Sequence, residues 1–147
     1  MTDSVDILPA TWRDFRGMWN LERACFGRDA WGSLEILFAL LGPSVRLKAV
    51  ADGRLVGFVM GDPRRRQGFA WIATIGVLPE YQRRGIGARL LAEVEARLPT
   101  PAIKLTVRRS NAGAIALYKR FGYVETEAWP RYYADGEAGL VMEKRRG

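Results

Sequence analysis

Histidine is absent from the 147-residue chain, and cysteine occurs once, at Cys25. Without histidine there is no Ser-His-Asp or Cys-His nucleophilic set and no His-containing zinc site, so no resident metal is expected. A single cysteine forms neither an intrachain disulfide nor a CxxC site, which fits a reducing compartment. Cys25 itself reads as a core thiol. No apolar run approaches the roughly 18 residues of a membrane span, and the opening Met1-Thr2-Asp3-Ser4-Val5-Asp6 carries acid where a signal peptide needs base. The expected location is therefore cytoplasmic, with no membrane partner. No Gly-Lys pair occurs, which excludes the Walker phosphate loop, and Gly85-Ile86-Gly87-Ala88-Arg89-Leu90 has leucine where the dinucleotide fingerprint needs its third glycine. Repeats, low-complexity tracts and linker-like stretches are also missing, so residues 1–147 read as one domain.

What remains is an ordinary globular composition, 48% hydrophobic and 27% charged, with a formal net charge of +7. That field draws polyanions, either nucleic acid or a small phosphate-rich ligand. Thr11 stands as an N-cap before a helix from Trp12 to about Cys25, and Ser33 before a second, short helix through about Leu41. Val45–Val50 and Leu55–Met60 flank Asp52-Gly53, a hairpin signal because glycine accepts positive φ. Phe69–Val77 reads as a central strand. After it, Ile86, Leu90, Leu91, Val94 and Leu98 build one apolar helix face. Ala102–Val107 follows as a strand, Asn111 caps a helix to about Phe121, and Tyr123-Val124 and Leu140–Met142 read as the last strands.

The most informative segment is Gln82-Arg83-Arg84-Gly85-Ile86-Gly87-Ala88, between the central strand and the helix. A helix start offers unpaired backbone N–H groups at the positive end of its dipole. Gly85 and Gly87 let an anion approach the main chain, while Gln82, Arg83 and Arg84 can add side-chain donors. Two glycines can equally serve only a tight turn, and spacing alone leaves both readings open.

That segment resembles the Q/R-x-x-G-x-G/A motif of the GNAT acyltransferases. The resemblance implies an α/β (α+β) GNAT fold: a mixed, mostly antiparallel sheet of about six or seven strands with about four helices. It further implies splaying between the central strand and the Ala102–Val107 strand to admit acetyl-CoA. The pyrophosphate would rest on Gln82 to Ala88, including Ile86, and Ile75, Gly76 and Val77 would position the pantetheine and thioester. Val107-Arg108-Arg109-Ser110-Asn111, Ala114-Ile115-Ala116-Leu117-Tyr118, Phe121-Gly122-Tyr123 and Arg131-Tyr132-Tyr133-Ala134-Asp135-Gly136-Glu137 are similar to the RimI-type protein N-terminal acetyltransferases. By that similarity Tyr118 protonates the departing sulfur, Asn111 and Tyr118 contact the cofactor, and Phe26, Trp31, Tyr132 and Tyr133 line the acceptor site. On the residues alone, Tyr118 also reads as a packing aromatic, Asn111 as only a cap, and Tyr132 and Tyr133 as half-exposed edge residues.

Thr106 stands where the RimI type carries a glutamate proposed as general base, Phe26-Gly27 replaces Phe-Pro, and Phe69 to Leu78 contains no carboxylate. An α-amine with a pKa of about 7.7–8.0 is roughly a tenth free near neutral pH, whereas lysine at about 10.4 costs roughly 3.5 kcal/mol more to deprotonate. A site without a strong base therefore favours a protein N-terminus, ribosomal proteins included. A backbone carbonyl with water, or Glu22, could take the proton; otherwise Glu22 is a solvated helix carboxylate. The rival readings are a small-amine acetyltransferase and a CoA-binding or RNA-associated module without activity. Arg64-Arg65-Arg66 reads as a solvated basic hairpin tip or a contact for RNA or an acidic protein, with no specific nucleic-acid reading expected. A monomer or a homodimer is expected.

Overall fold

The computed structural model describes residues 4–27, 32, 36 and 40–146. It contains β1 (Val5–Pro9), α1 (Phe15–Phe26), β2 (Val45–Ala51), β3 (Arg54–Arg64), β4 (Phe69–Val77), α2 (Ile86–Arg97), β5 (Ala102–Arg108), α3 (Ala112–Arg120), β6 (Val124–Trp129) and β7 (Gly139–Arg145). Seven strands run in the order β1-β2-β3-β4-β5-β7-β6. This is the expected α/β sheet of mostly antiparallel strands, in which β4 and β5 pair in parallel. Three α-helices are present among the described residues. The helix expected from Ser33 falls largely outside them, with Ile36, Leu40 and Leu41 helical. The chain forms two compact units, Met1–Asp62 with Ala73–Leu98, and Pro63–Ile72 with Pro99–Gly147.

In the first unit, Thr11 opens the helical segment as expected. Its hydroxyl accepts from the Arg13 N–H at 3.3 Å, and its own N–H donates to Asp14 at 2.8 Å. The cap serves a 3₁₀ turn, Trp12–Asp14, so the α-helix itself begins at Phe15, three residues later than the spacing suggested. Asp52 and Gly53, with φ of 54° and 71°, close the β2–β3 hairpin in the paired left-handed turn that Asp-Gly favours. Leu90, Leu91 and Val94 on α2 and Leu98 at its C-cap are all buried, each worth about 1.5–3 kcal/mol of apolar transfer. Two glycines of β3 make room for them. A β-carbon at Gly57 would meet Leu90 at 3.1 Å, and one at Gly61 would meet Leu98 at 2.9 Å and Val94 at 3.2 Å. Four strand residues span about 13 Å and eight helical residues about 12 Å, so the two rows run in step.

In the second unit, β4 pairs in parallel with β5 through Phe69↔Ala102, Ala70↔Ile103 and Trp71↔Lys104. Strand β5 pairs antiparallel with β7 over its whole length, and β7 with β6 across an irregularity between Glu125 and Glu127. Ile103, Leu105 and Val107 are buried, whereas Lys104, Thr106 and Arg108 are partly exposed, the alternation of a strand with one covered face. Tyr118 of α3 and Tyr123 complete the core, their ring centroids 6.0 Å apart.

Candidate functional site

The first unit holds the loop between β4 and α2. Gly85 is the N-cap of α2, in the left-handed region at φ 79°, and no side chain caps the helix. Space around it is open, since a β-carbon placed there would touch nothing within 4 Å. Arg83 also takes positive φ, 64°. The first backbone N–H groups of α2 therefore present donors and a positive dipole end to an anion without competition from a capping side chain. The flanking side chains divide their work. Gln82 Nε2 donates to the Val77 carbonyl at 3.0 Å, tying the loop back to the strand end. Arg84 donates to the Glu80 carbonyl at 3.2 Å and lies 4.9 Å over the Tyr81 ring. Both brace the loop, while Arg83 is exposed.

Behind this loop, α1 lies against β4. Glu22 is wholly buried and accepts a hydrogen bond from the Thr74 hydroxyl at 2.8 Å. The reading of Glu22 as a solvated carboxylate is thus corrected. It shares the inward face with Met18 and Leu21, the i, i+3, i+4 positions of an amphipathic helix, and that spacing was the signal available in the sequence. Cys25 and Phe26 follow on the same helix. A β-carbon on Gly76 would stand 3.2 Å from the Cys25 sulfur and 3.3 Å from the Phe26 ring, so the absence of a side chain at Gly76 seats Phe26 directly on the strand. Burial, and then the Glu22 charge, push the Cys25 thiol up to about 11. It stays protonated at neutral pH and is no nucleophile.

The second unit holds the other group. Asn111 caps α3, its side chain accepting from the Ala114 N–H at 3.2 Å. Tyr118 follows seven residues later, two helical turns along nearly the same face. It is 7% exposed, and burial, with a smaller effect from Tyr133, raises its hydroxyl to about 12. The phenol keeps its proton throughout the working range, the state required of a donor. Tyr132 and Tyr133 lie between β6 and β7 with ring centroids 4.9 Å apart. Tyr132 is 51% exposed and packs over Gly139, where a β-carbon would come within 3.0 Å of both its ring and Thr106 Cγ2. Arg108 lies 4.2 Å over Tyr133 and forms ion pairs with Glu137 at 2.7 Å and Asp135 at 2.9 Å. The Ser110 hydroxyl, then Arg108 and then the Ser110 N–H hold the Glu137 carboxyl below its ordinary value of 4.5. This Arg108–Glu137 clasp, missed in the sequence, fixes the tyrosine loop to the end of β5.

The expected residues therefore fall into two sets. Phe26, Ile75, Gly76, Val77 and Gln82 to Ala88 are in the first unit; Asn111, Tyr118, Tyr132 and Tyr133 are in the second. Trp31 lies outside the described residues. Among the described residues no three His, Cys, Asp or Glu side chains gather as a metal site.

Residues 7–123 match the model of the acetyltransferase (GNAT) family. The N-alpha-acetyltransferase RimI of Mycobacterium tuberculosis is 36% identical over 99% of this chain and 96% of its own length. The [ribosomal protein bS18]-alanine N-acetyltransferase of Salmonella typhimurium is 33% identical over 95% of both chains. The crystal structure of the ribosomal-protein-S18-alanine N-acetyltransferase from Escherichia coli superposes with a TM-score of 0.86 at 26% identity, covering 97% of this chain and 94% of that one.

Proposed function

The chain belongs to the acetyltransferase (GNAT) family, and on that footing we propose that it transfers acetyl from acetyl-CoA directly to the α-amino group of a protein N-terminus. The observation that carries the cofactor assignment is the uncapped start of α2 at Gly85, with open space where a side chain would stand. The residues present fit a diphosphate: backbone donors of a helix N-terminus, two loop side chains that hold the turn in shape, and an exposed Arg83. Acetyl-CoA, when bound, supplies the activated thioester. Main-chain groups of Ile75 to Val77, beyond the Trp71 end of the β4–β5 ladder, hold the acyl arm. In the first unit Phe26 over Gly76 gives an apolar wall suited to the acceptor, and in the second the Tyr132–Tyr133 pair gives an aromatic one.

The proton inventory matches an α-amine. Tyr118 donates to the departing sulfur, which a hydroxyl raised to about 12 can do at any physiological pH. Thr106 cannot act as a base, and Glu22 is sealed beneath β4. The acceptor then loses its proton to water, oriented by a backbone carbonyl, which an amine of pKa about 8 does far more readily than lysine. Protein N-termini are the substrates named for the RimI relatives, which supports the same reading. The test is thiol release from acetyl-CoA with peptides differing in their first residue, against a panel of polyamines, amino acids and aminoglycosides. Release with peptides bearing a free N-terminus, abolished when that terminus is blocked, is expected. Release only with small amines overturns the acceptor assignment.

A further inference from the structure

Two basic tripeptides far apart in the sequence, Arg64-Arg65-Arg66 and Lys144-Arg145-Arg146, meet at one end of the second unit. The register brings them there: Phe69, just after the first tripeptide, pairs with Ala102, and Ala102 pairs with Arg145. Three neighbouring strands place β4 and β7 only about 10 Å apart. Arg64 caps the 3₁₀ turn Arg65–Gln67, and the Gly68 N–H donates to the Arg64 carbonyl at 3.0 Å. Across the sheet end, Arg146 is fastened through its N–H to the Pro101 carbonyl at 2.7 Å and through its guanidinium to the Thr100 carbonyl at 2.6 Å. Arg64, Arg65 and Arg66 are exposed. Arg65 and Arg66 have no carboxylate within ion-pair distance among the described residues. Arg145 pairs with Glu143 at 2.9 Å while its side chain remains 83% exposed.

Beside this cluster stands Phe69, first of a row of rings that leads away from it across the sheet toward Trp129, which pairs with Gly139 at the other end of β7. Phe69 and Trp71 are half-buried with centroids 6.0 Å apart, Trp129 lies 6.2 Å from Trp71, and Lys104 Nζ sits 4.3 Å from the Phe69 ring. Trp129 joins Phe69 and Trp71 only through the fold. Lys144 lies over the Phe121 and Tyr123 rings and Arg146 holds the Thr100 carbonyl, so the exposed cations are Arg64, Arg65, Arg66 and Arg145, whose planar forks pair with phosphate while the adjoining rings give bases a surface without reading them. From these juxtapositions we infer that this end of the second unit binds single-stranded RNA through its phosphates, independently of sequence and independently of the acetyl-transfer reading.

Fluorescence anisotropy with a labelled oligouridylate of about 12 nucleotides, titrated at several salt concentrations, tests this. Engagement of about four phosphates gives a slope of log K against log salt near −3, or about 60-fold weaker binding between 50 and 200 mM. The R65A/R66A variant is expected to keep its thermal midpoint, since both side chains are exposed, and to lose about 1.4 from the slope's magnitude. Absence of saturable binding at low salt, or an unchanged slope in R65A/R66A, overturns the inference. An oligoglutamate of equal charge that binds as tightly as the RNA also overturns it, in favour of an acidic protein partner.

Discussion

Replacing Tyr118 by phenylalanine removes one buried hydroxyl and leaves the ring in contact with Tyr123. If that hydroxyl is the proton donor to sulfur, kcat falls by about 10²–10⁴, the usual contribution of a positioned general acid, with little change in the affinity for CoA. A second signature is thermodynamic. The folded value of about 12 exceeds the unfolded value of 10.0, so the native state holds this proton more tightly than the unfolded chain does. The associated stability is complete below pH 10, declines as pH rises toward 12, and amounts in all to on the order of 3 kcal/mol. Phenylalanine has no such proton to lose. Urea unfolding of both proteins near pH 8 and near pH 11 should therefore show the wild type losing about 1.4 kcal/mol more than Tyr118→Phe over that interval. The difference cancels the titration of lysines common to both chains. Wild-type turnover in the variant refutes the catalytic role, and stability curves that stay parallel in pH refute the burial argument beneath it.

Thr74→Val takes the 2.8 Å donor from the buried Glu22 carboxylate and should cost about 1–3 kcal/mol in urea or thermal unfolding. Gly76→Ala places a methyl group 3.2 Å from the Cys25 sulfur and 3.3 Å from the Phe26 ring, so the KM for the peptide should rise as Phe26 shifts. An unchanged KM removes Phe26 from the acceptor wall. Glu137→Gln weakens the clasp on Arg108 and Ser110, and peptide KM should rise while CoA affinity holds. Because the Glu137 carboxyl is held below 4.5 in the folded state, its contribution is full above that pH and is lost as pH falls through the depressed value. Acid unfolding should accordingly begin at higher pH in the glutamine variant.

Local chemistry made much of this architecture readable in advance. Thr11, Asn111 and the Asp52-Gly53 turn each declare their role through side-chain or backbone geometry that needs no distant partner. The Gly85 loop was readable for the same reason, since a glycine of positive φ before an apolar helix face is a local signal. Features made by strand register were not. Glu22 meets Thr74 across 52 residues, Arg108 meets Glu137 across 29, and the two basic tripeptides converge only when β4, β5 and β7 align. A carboxylate in a helix reads as solvated until the strand beneath supplies a hydroxyl. In the loop between β4 and α2, Gln82 and Arg84 donate to the Val77 and Glu80 carbonyls, contacts that spacing does not reveal.

The central claim is that backbone donors at the start of α2 hold the CoA diphosphate. Calorimetric titration of CoA into the wild type and Gly85→Val tests it most directly. A β-branched residue at φ 79° costs at least about 1–2 kcal/mol of backbone strain and must displace the loop to relieve it. Saturable binding by the wild type in about the micromolar range, weakened about tenfold or more in the variant, is the predicted result. Equal affinity in the two proteins, or no saturable heat with the wild type, would contradict it.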